Sequence, residues 1–208
     1  MLTPSRAKAL ISWAFPAMVS LRVLGAALSP LLFAHLPILL VVMSPFLIHL
    51  IAVAPLVSPL LYFPVAFFIT TLQSLVGFFF GSILGRQALE WLLARLPFPE
   101  SIAARLLELV RRASLFAIFA IPGPILGTIA GVAGVNRRLF FLLVGPAQLL
   151  WITAAYFIGE ALLDYIAVAR GFVSEHAPLL TAITVSAVSL RLLVGYFRRD
   201  KSTQEKRA

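Results

Sequence analysis

The sequence has no cysteine and only three histidines, His35, His49 and His176. The first absence excludes disulfides, thiolate metal sites and cysteine nucleophiles, and the scattered histidines form no metal-ligand motif. Charge is scarce too: 12% of the 208 residues are Asp, Glu, Lys or Arg, about half the share of a soluble domain. From Val23 to Gly85 there is not one of them. A nucleotide-binding Walker loop is missing, because no G-x-x-x-x-G-K-[ST] occurs. Ser, Thr and carboxylates are present, but no Ser–His–Asp or paired-acid arrangement follows from their spacing. The chain therefore reads as a non-enzyme that needs no cofactor and no metal.

What the chain does have is apolar surface. It is 61% hydrophobic, with a mean hydropathy of +1.01. A spanning helix needs about 20 apolar residues, so the charge-free stretch alone holds two or three crossings. This predicts an all-α polytopic membrane protein. The net charge of +9 would suggest nucleic acid in a soluble protein. Here the basic residues flank apolar spans, so they read as topology determinants beside anionic headgroups. Membrane lipids, not nucleic acid, are the expected partners.

Arg6 and Lys8 followed by an apolar run are similar to a signal peptide, but Pro16 and Arg22 interrupt the run and no convincing cleavage site follows. Residues 1–34 are expected to form an interfacial or first membrane helix over about 9–34. Within it Arg22 either snorkels to the surface or marks where the span begins. Next, 37–59 carries Pro37, Pro45, Pro55 and Pro59 and makes a poor straight span. Residues 60–84 are continuous and aromatic-rich, and Gly77, Gly81 and Gly85 recur every fourth residue. That spacing leaves one helix face flat for close packing. After Pro97-Phe98-Pro99, residues 100–113 predict an amphipathic helix. Spans are expected at about 139–159 and 177–197, and 198–208 is a charged tail with the composition of a disordered segment.

The most telling segment is Phe116–Gly134, FAIFAIPGPILGTIAGVAG, apolar throughout yet broken by Pro122-Gly123-Pro124. Proline removes an N–H and clashes with the preceding turn, while glycine permits a reversal. In hydrocarbon such a break is tolerated only where protein or a water-filled cavity covers it. A re-entrant hairpin over about 114–135 is predicted, with a second over 37–59. Charge placement gives independent support. If all six apolar segments crossed fully from a cytoplasmic N-terminus, Arg86, Arg95, Arg105, Arg111 and Arg112 would lie outside, against the positive-inside rule. If both hairpins turn back, those residues, Arg137, Arg138 and both basic termini fall inside. Arg170 alone among Lys and Arg then stays in an outer connection.

The run IPGPILGTIAGVAGVNRRLFFLLVGPAQLLWITAAYFIG resembles the core of the DedA/VTT-domain (SNARE-associated Golgi protein-like) membrane proteins. Pro122-Gly123, Ala130-Gly131, Phe140, Trp151 and Gly159 fall where that pattern wants them, and Leu84-Gly85-Arg86 is similar to the family's Gly-Arg helix end. The likeness spans about 35–197 in organisation and is sharp over 116–160. It implies a DedA-like membrane domain over 35–197, with two re-entrant hairpins in inverted-repeat organisation and substrate handled between their tips. Family members translocate or scramble lipids, including undecaprenyl phosphate in bacteria, and some are thought to be proton-coupled. The chain departs from the pattern in two places. Phe119 and Ile125 stand where the family has arginines beside the turn, and 37–59 lacks the usual acidic residue.

Candidate site residues follow. Pro122, Gly123, Pro124 and Gly127 would form the hairpin tip and offer backbone N–H groups to a headgroup. His49 is the one titratable group in the first hairpin, serving as a proton acceptor or as a structural histidine bonded to a carbonyl freed by a nearby proline. Gly131 and Gly134 read as close-packing residues, Trp151 as a core or anchoring residue, and Gln73 and Gln148 as interhelical hydrogen-bonding groups. Glu160 and Asp164, one turn apart, could share a proton. Arg137, Arg138, Arg111 and Arg112 set topology or grip phosphate. The expected function is a DedA-like lipid translocase or scramblase of a bacterial inner membrane with both termini cytoplasmic. The alternatives are a non-transporting scaffold that binds itself or another membrane protein through its glycine faces, and a small-solute transporter.

Overall fold

The computed structural model describes residues 4–93, 105, 108, 110, 114–120 and 122–205, and describes side chains for 8–93, 105, 108, 110, 116–120 and 122–191. The amphipathic helix expected over 100–113 falls mostly outside these residues, as do Arg111 and Arg112. Among the described residues every regular element is helical: α1 (Pro4–Ala27), α2 (Ser29–His35), α3 (Pro37–Met43), α4 (Leu47–Val53) with a 3-10 turn at Ala54–Leu56, α5 (Pro59–Leu84), α6 (Arg86–Leu93), α7 (Ser114–Ala120), α8 (Pro124–Val132), α9 (Arg137–Ala161), α10 (Leu163–Glu175) and α11 (Ala177–Glu205).

Proline sets much of this punctuation. Pro37, Pro59 and Pro124 open α3, α5 and α8, where the missing N–H would have had no partner anyway. Asn136 caps α9 by accepting from the backbone N–H of Arg138 (2.9 Å) and Leu139 (3.4 Å). Gly85 and Gly134 follow the ends of α5 and α8 with φ of +53° and +75°, the left-handed region that favours glycine. A Cβ at either would meet nothing within 4 Å. Neither is the close-packing residue that the spacing suggested; both are helix stops.

Lys8–Ala27, Pro59–Leu84 and Arg137–Ala161 are long and apolar enough to cross a membrane, and Leu163–Glu175 with Ala177–Arg191 make a fourth candidate bent by 87°. The long helices are built inside out. On α5 and α9, Leu60, Phe68, Leu142, Leu150 and Phe157 are exposed, while Thr70, Gln73, Ser74, Gly77, Gly81, Gln148 and Gly159 face inward. Water would penalise so large an apolar surface, whereas lipid tails accept it and leave small and polar residues to hold helices together.

The core has two halves. One gathers Phe78, Phe80, Leu126, Ile129, Ala130, Phe140 and Val144; the other gathers Leu40, Val41, Leu50, Val53, Tyr62, Ala66, Ile152 and Ala155. Each is organised by a broken segment. The first limb of each, α3 or α7, packs on the long helix that follows it, α5 or α9 respectively. The second limb, α4 or α8, packs on the other long helix, α9 or α5. Glycines permit both second-limb contacts. A methyl group at Gly77, Gly81, Gly127 or Gly131 would run into the backbone of Pro124, Thr128, Ser74 or Phe78, and one at Gly159 into the carbonyl of Ile51.

Three elements differ from the sequence expectation. The first helix ends at Ala27, with Ser29-Pro30 starting α2 after a turn at Leu28. Residues 163–175, expected as part of an outer connection between the spans at about 139–159 and 177–197, form α10. There Asp164 sits in the first turn, where a carboxylate favours the helix dipole. The tail does not end the last helix, which continues to Glu205; no proline or glycine follows Gly195 to stop it.

Candidate functional site

The two breaks meet. Ser44-Pro45-Phe46 between α3 and α4, and Pro122-Gly123 between α7 and α8, open onto one cavity of about 250 Å³. Its lining includes Pro45, Leu47 and Leu50 from the first segment and Ala120, Pro122, Gly123 and Pro124 from the second. The long helices close it with Thr70 and Gln73 of α5 and Gln148 and Trp151 of α9. These are the twelfth and fifteenth residues of their respective helices. The cavity therefore lies halfway along both candidate spans.

Each wall is held by a specific contact. Gln148 Nε2 donates across to Ser74 Oγ (2.8 Å) and to the Thr70 carbonyl (3.4 Å), tying α9 to α5. Trp151 Nε1 donates to the Phe119 carbonyl (2.8 Å) near the end of α7, where the break has removed the next turn's N–H groups. Gly123 is extended, with φ 165° and ψ 176°, and Pro124 starts α8 at the cavity wall, its positive end toward the opening.

The sixth element to reach the cavity is α1, through Arg22. Gly25, one turn on, lets α1 approach the end of α3: a Cβ there would lie 2.7 Å from the Met43 Cβ and 2.9 Å from that of Ser44. This closeness sets the Arg22 guanidinium 4.4 Å above the Phe46 ring. Arg22 neither snorkels nor marks the start of a span; it turns inward. Its Nε, like the Oε1 of Gln73, is buried with no hydrogen-bond partner among the described residues.

Of the expected tip residues, Pro122, Gly123 and Pro124 line the cavity, and Gly127 does not; it is spent against Ser74 in the α5–α8 crossing. His49 lies behind the first break, its Nδ1 2.6 Å from the Ser44 carbonyl, which also accepts from the Phe46 backbone N–H (2.8 Å). Gly77, Gly81 and Gly131 are packing residues in the same crossing. Arg137, with its guanidinium 5.1 Å from the Phe79 ring centre, and Arg138 stand exposed at the start of α9. Glu160 and Asp164 are exposed at the α9–α10 junction, far along α9 from Gln148. Among the lining residues that sequence reasoning did not assign to the site, which also include Gln73, Gln148 and Trp151, Arg22 is the charged one. A single cation inside an apolar run was the available signal, because such residues usually face a bundle interior.

Comparison of the chain with protein-family models, with curated proteins and with solved structures yields no match.

Proposed function

We propose that this chain is an integral membrane lipid translocase or scramblase of the DedA-like type, acting on a phospholipid or an undecaprenyl-phosphate-type lipid in a bacterial inner membrane with both termini cytoplasmic. One observation carries the reading: two helix breaks converge on a cavity with polar groups halfway along two candidate membrane-spanning helices. Broken backbone at that depth suits a path for a polar group. In this reading 37–59 and 114–135 are re-entrant hairpins, and the crossed packing of their second limbs is what an inverted repeat would produce. A headgroup passes between the tips while its tails stay in lipid, so no covalent step is needed. The scaffold alternative would use free glycine faces, but Gly77, Gly81, Gly127 and Gly131 are already consumed within the chain.

Reconstitution into liposomes with fluorescent lipids tests this. Headgroups should become accessible from the outer solution faster than in protein-free vesicles; accessibility equal to that of empty vesicles would overturn the translocase reading.

A further inference from the structure

Two side chains that line the cavity, Arg22 and Gln73, each carry a buried polar atom with no hydrogen-bond partner among the described residues, and these make opposite demands of a ligand. Arg22 offers a buried Nε–H on a permanent cation, and Gln73, a residue only 6% exposed, offers a carbonyl oxygen. The Phe46 ring shields one face of the guanidinium but has no acceptor for Nε. No carboxylate is among the described residues lining the cavity. An anion therefore fits beside Arg22 and a hydrogen-bond donor beside Gln73. With the anion neutralising Arg22, an ammonium beside Gln73 would leave a net positive charge among described lining residues that include no carboxylate, whereas a hydroxyl leaves none. A quaternary ammonium offers no donor at all. The volume, room for roughly eight waters, suits a small headgroup.

We propose that the cavity selects a phosphodiester headgroup bearing a free hydroxyl, a phosphoglycerol-type polyol, with a phosphate oxygen accepting from Arg22 and the hydroxyl donating to Gln73. The inference rests on reading the cavity as a headgroup path, and it adds the chemistry that the path prefers. Arg22 supplies, from α1, a positive charge that Phe119 and Ile125 do not provide at the second break.

Binding of short-chain lipids to the purified chain in detergent tests it. The probes are dihexanoyl phosphatidylglycerol, phosphatidylmethanol (anionic, no hydroxyl), phosphatidylethanolamine and phosphatidylcholine. Phosphatidylglycerol should bind about tenfold more tightly than phosphatidylcholine, with phosphatidylmethanol between them. Arg22→Gln should erase the advantage of both anionic lipids, and Gln73→Leu should lower phosphatidylglycerol to the level of phosphatidylmethanol. Equal affinities in the unaltered chain overturn the proposal without recourse to any variant, as does an order that survives both substitutions. The same headgroups in the liposome assay separate the two readings. Selective binding without movement removes the translocase and leaves the site; movement without selectivity does the reverse.

Discussion

At Gly81 one methyl group decides whether two helices can cross. Its Cβ would meet the Thr128 carbonyl, and backbone cannot step aside as a side chain can. Gly81→Ala should therefore destabilise the fold by about 1–3 kcal/mol. Gly171→Ala on α10, where nothing lies within 4 Å, should be neutral or gain up to about 1 kcal/mol from helix propensity. Thermal unfolding in detergent compares the two; equal shifts would mean that the crossing does not depend on the glycines. The Gln148–Ser74 bond makes a second prediction at this scale. Each of Gln148→Leu and Ser74→Ala should cost about 1 kcal/mol or less. The double variant should cost less than the sum of the two, since both remove the same bond. Strict additivity would show that the bond contributes nothing.

Helix starts and breaks were written plainly in the chain, because proline and glycine act on the backbone locally. Pro45, Pro59, Pro122 and Pro124 fall where α3–α4, α5 and α7–α8 stop or begin. What the sequence hid was partnership. Gly77 and Gly81 advertised a flat face, but not that α8 would occupy it, and Gly127 resembled a tip residue until its crossing partner Ser74 was in view. Arg22 was hidden for the same reason: its destination depends on Gly25 meeting Met43, a contact between distant segments. α10 was concealed by its charges. The second break is also where an element-scale prediction belongs. Replacing Pro122-Gly123-Pro124 with three alanines should let α7 run into α8, closing the cavity mouth and drawing the backbone at position 124 from its seat on Gly77. Lipid movement should be lost while membrane insertion persists. Gly123→Ala alone should leave movement intact, because Gly123 has an extended backbone and open space for a Cβ. Unchanged movement in the triple variant would remove the break from the mechanism.

At the scale of the whole molecule, the question is which side of the membrane each connection faces. The positive-inside pattern places the segment after α6, with Arg95, Arg105, Arg111 and Arg112, in the cytoplasm if 37–59 turns back, and keeps Arg137 and Arg138 there if 114–135 turns back as well. The α10–α11 elbow sharpens the test. If α10 lies along the outer surface, Glu175 at its end meets water; if α10 and α11 are one span bent by 87°, the elbow lies within lipid. α10 has no buried residue and is fastened to α2 by Arg170, whose guanidinium donates to the Ala34 carbonyl (3.1 Å), while Thr184 of α11 donates to the Ala27 carbonyl (2.6 Å). A charged side chain at Glu175 favours the surface arrangement. Because the chain has no native cysteine, Glu100→Cys and Glu175→Cys can each be labelled without background. A thiol reagent confined to the outer solution should modify the cysteine at 175 and spare the one at 100. Labelling at 100 but not at 175 would reverse the orientation and overturn the two-hairpin arrangement. Labelling at neither until the membrane is dissolved would keep 100 inside and turn α10 and α11 into a single bent crossing.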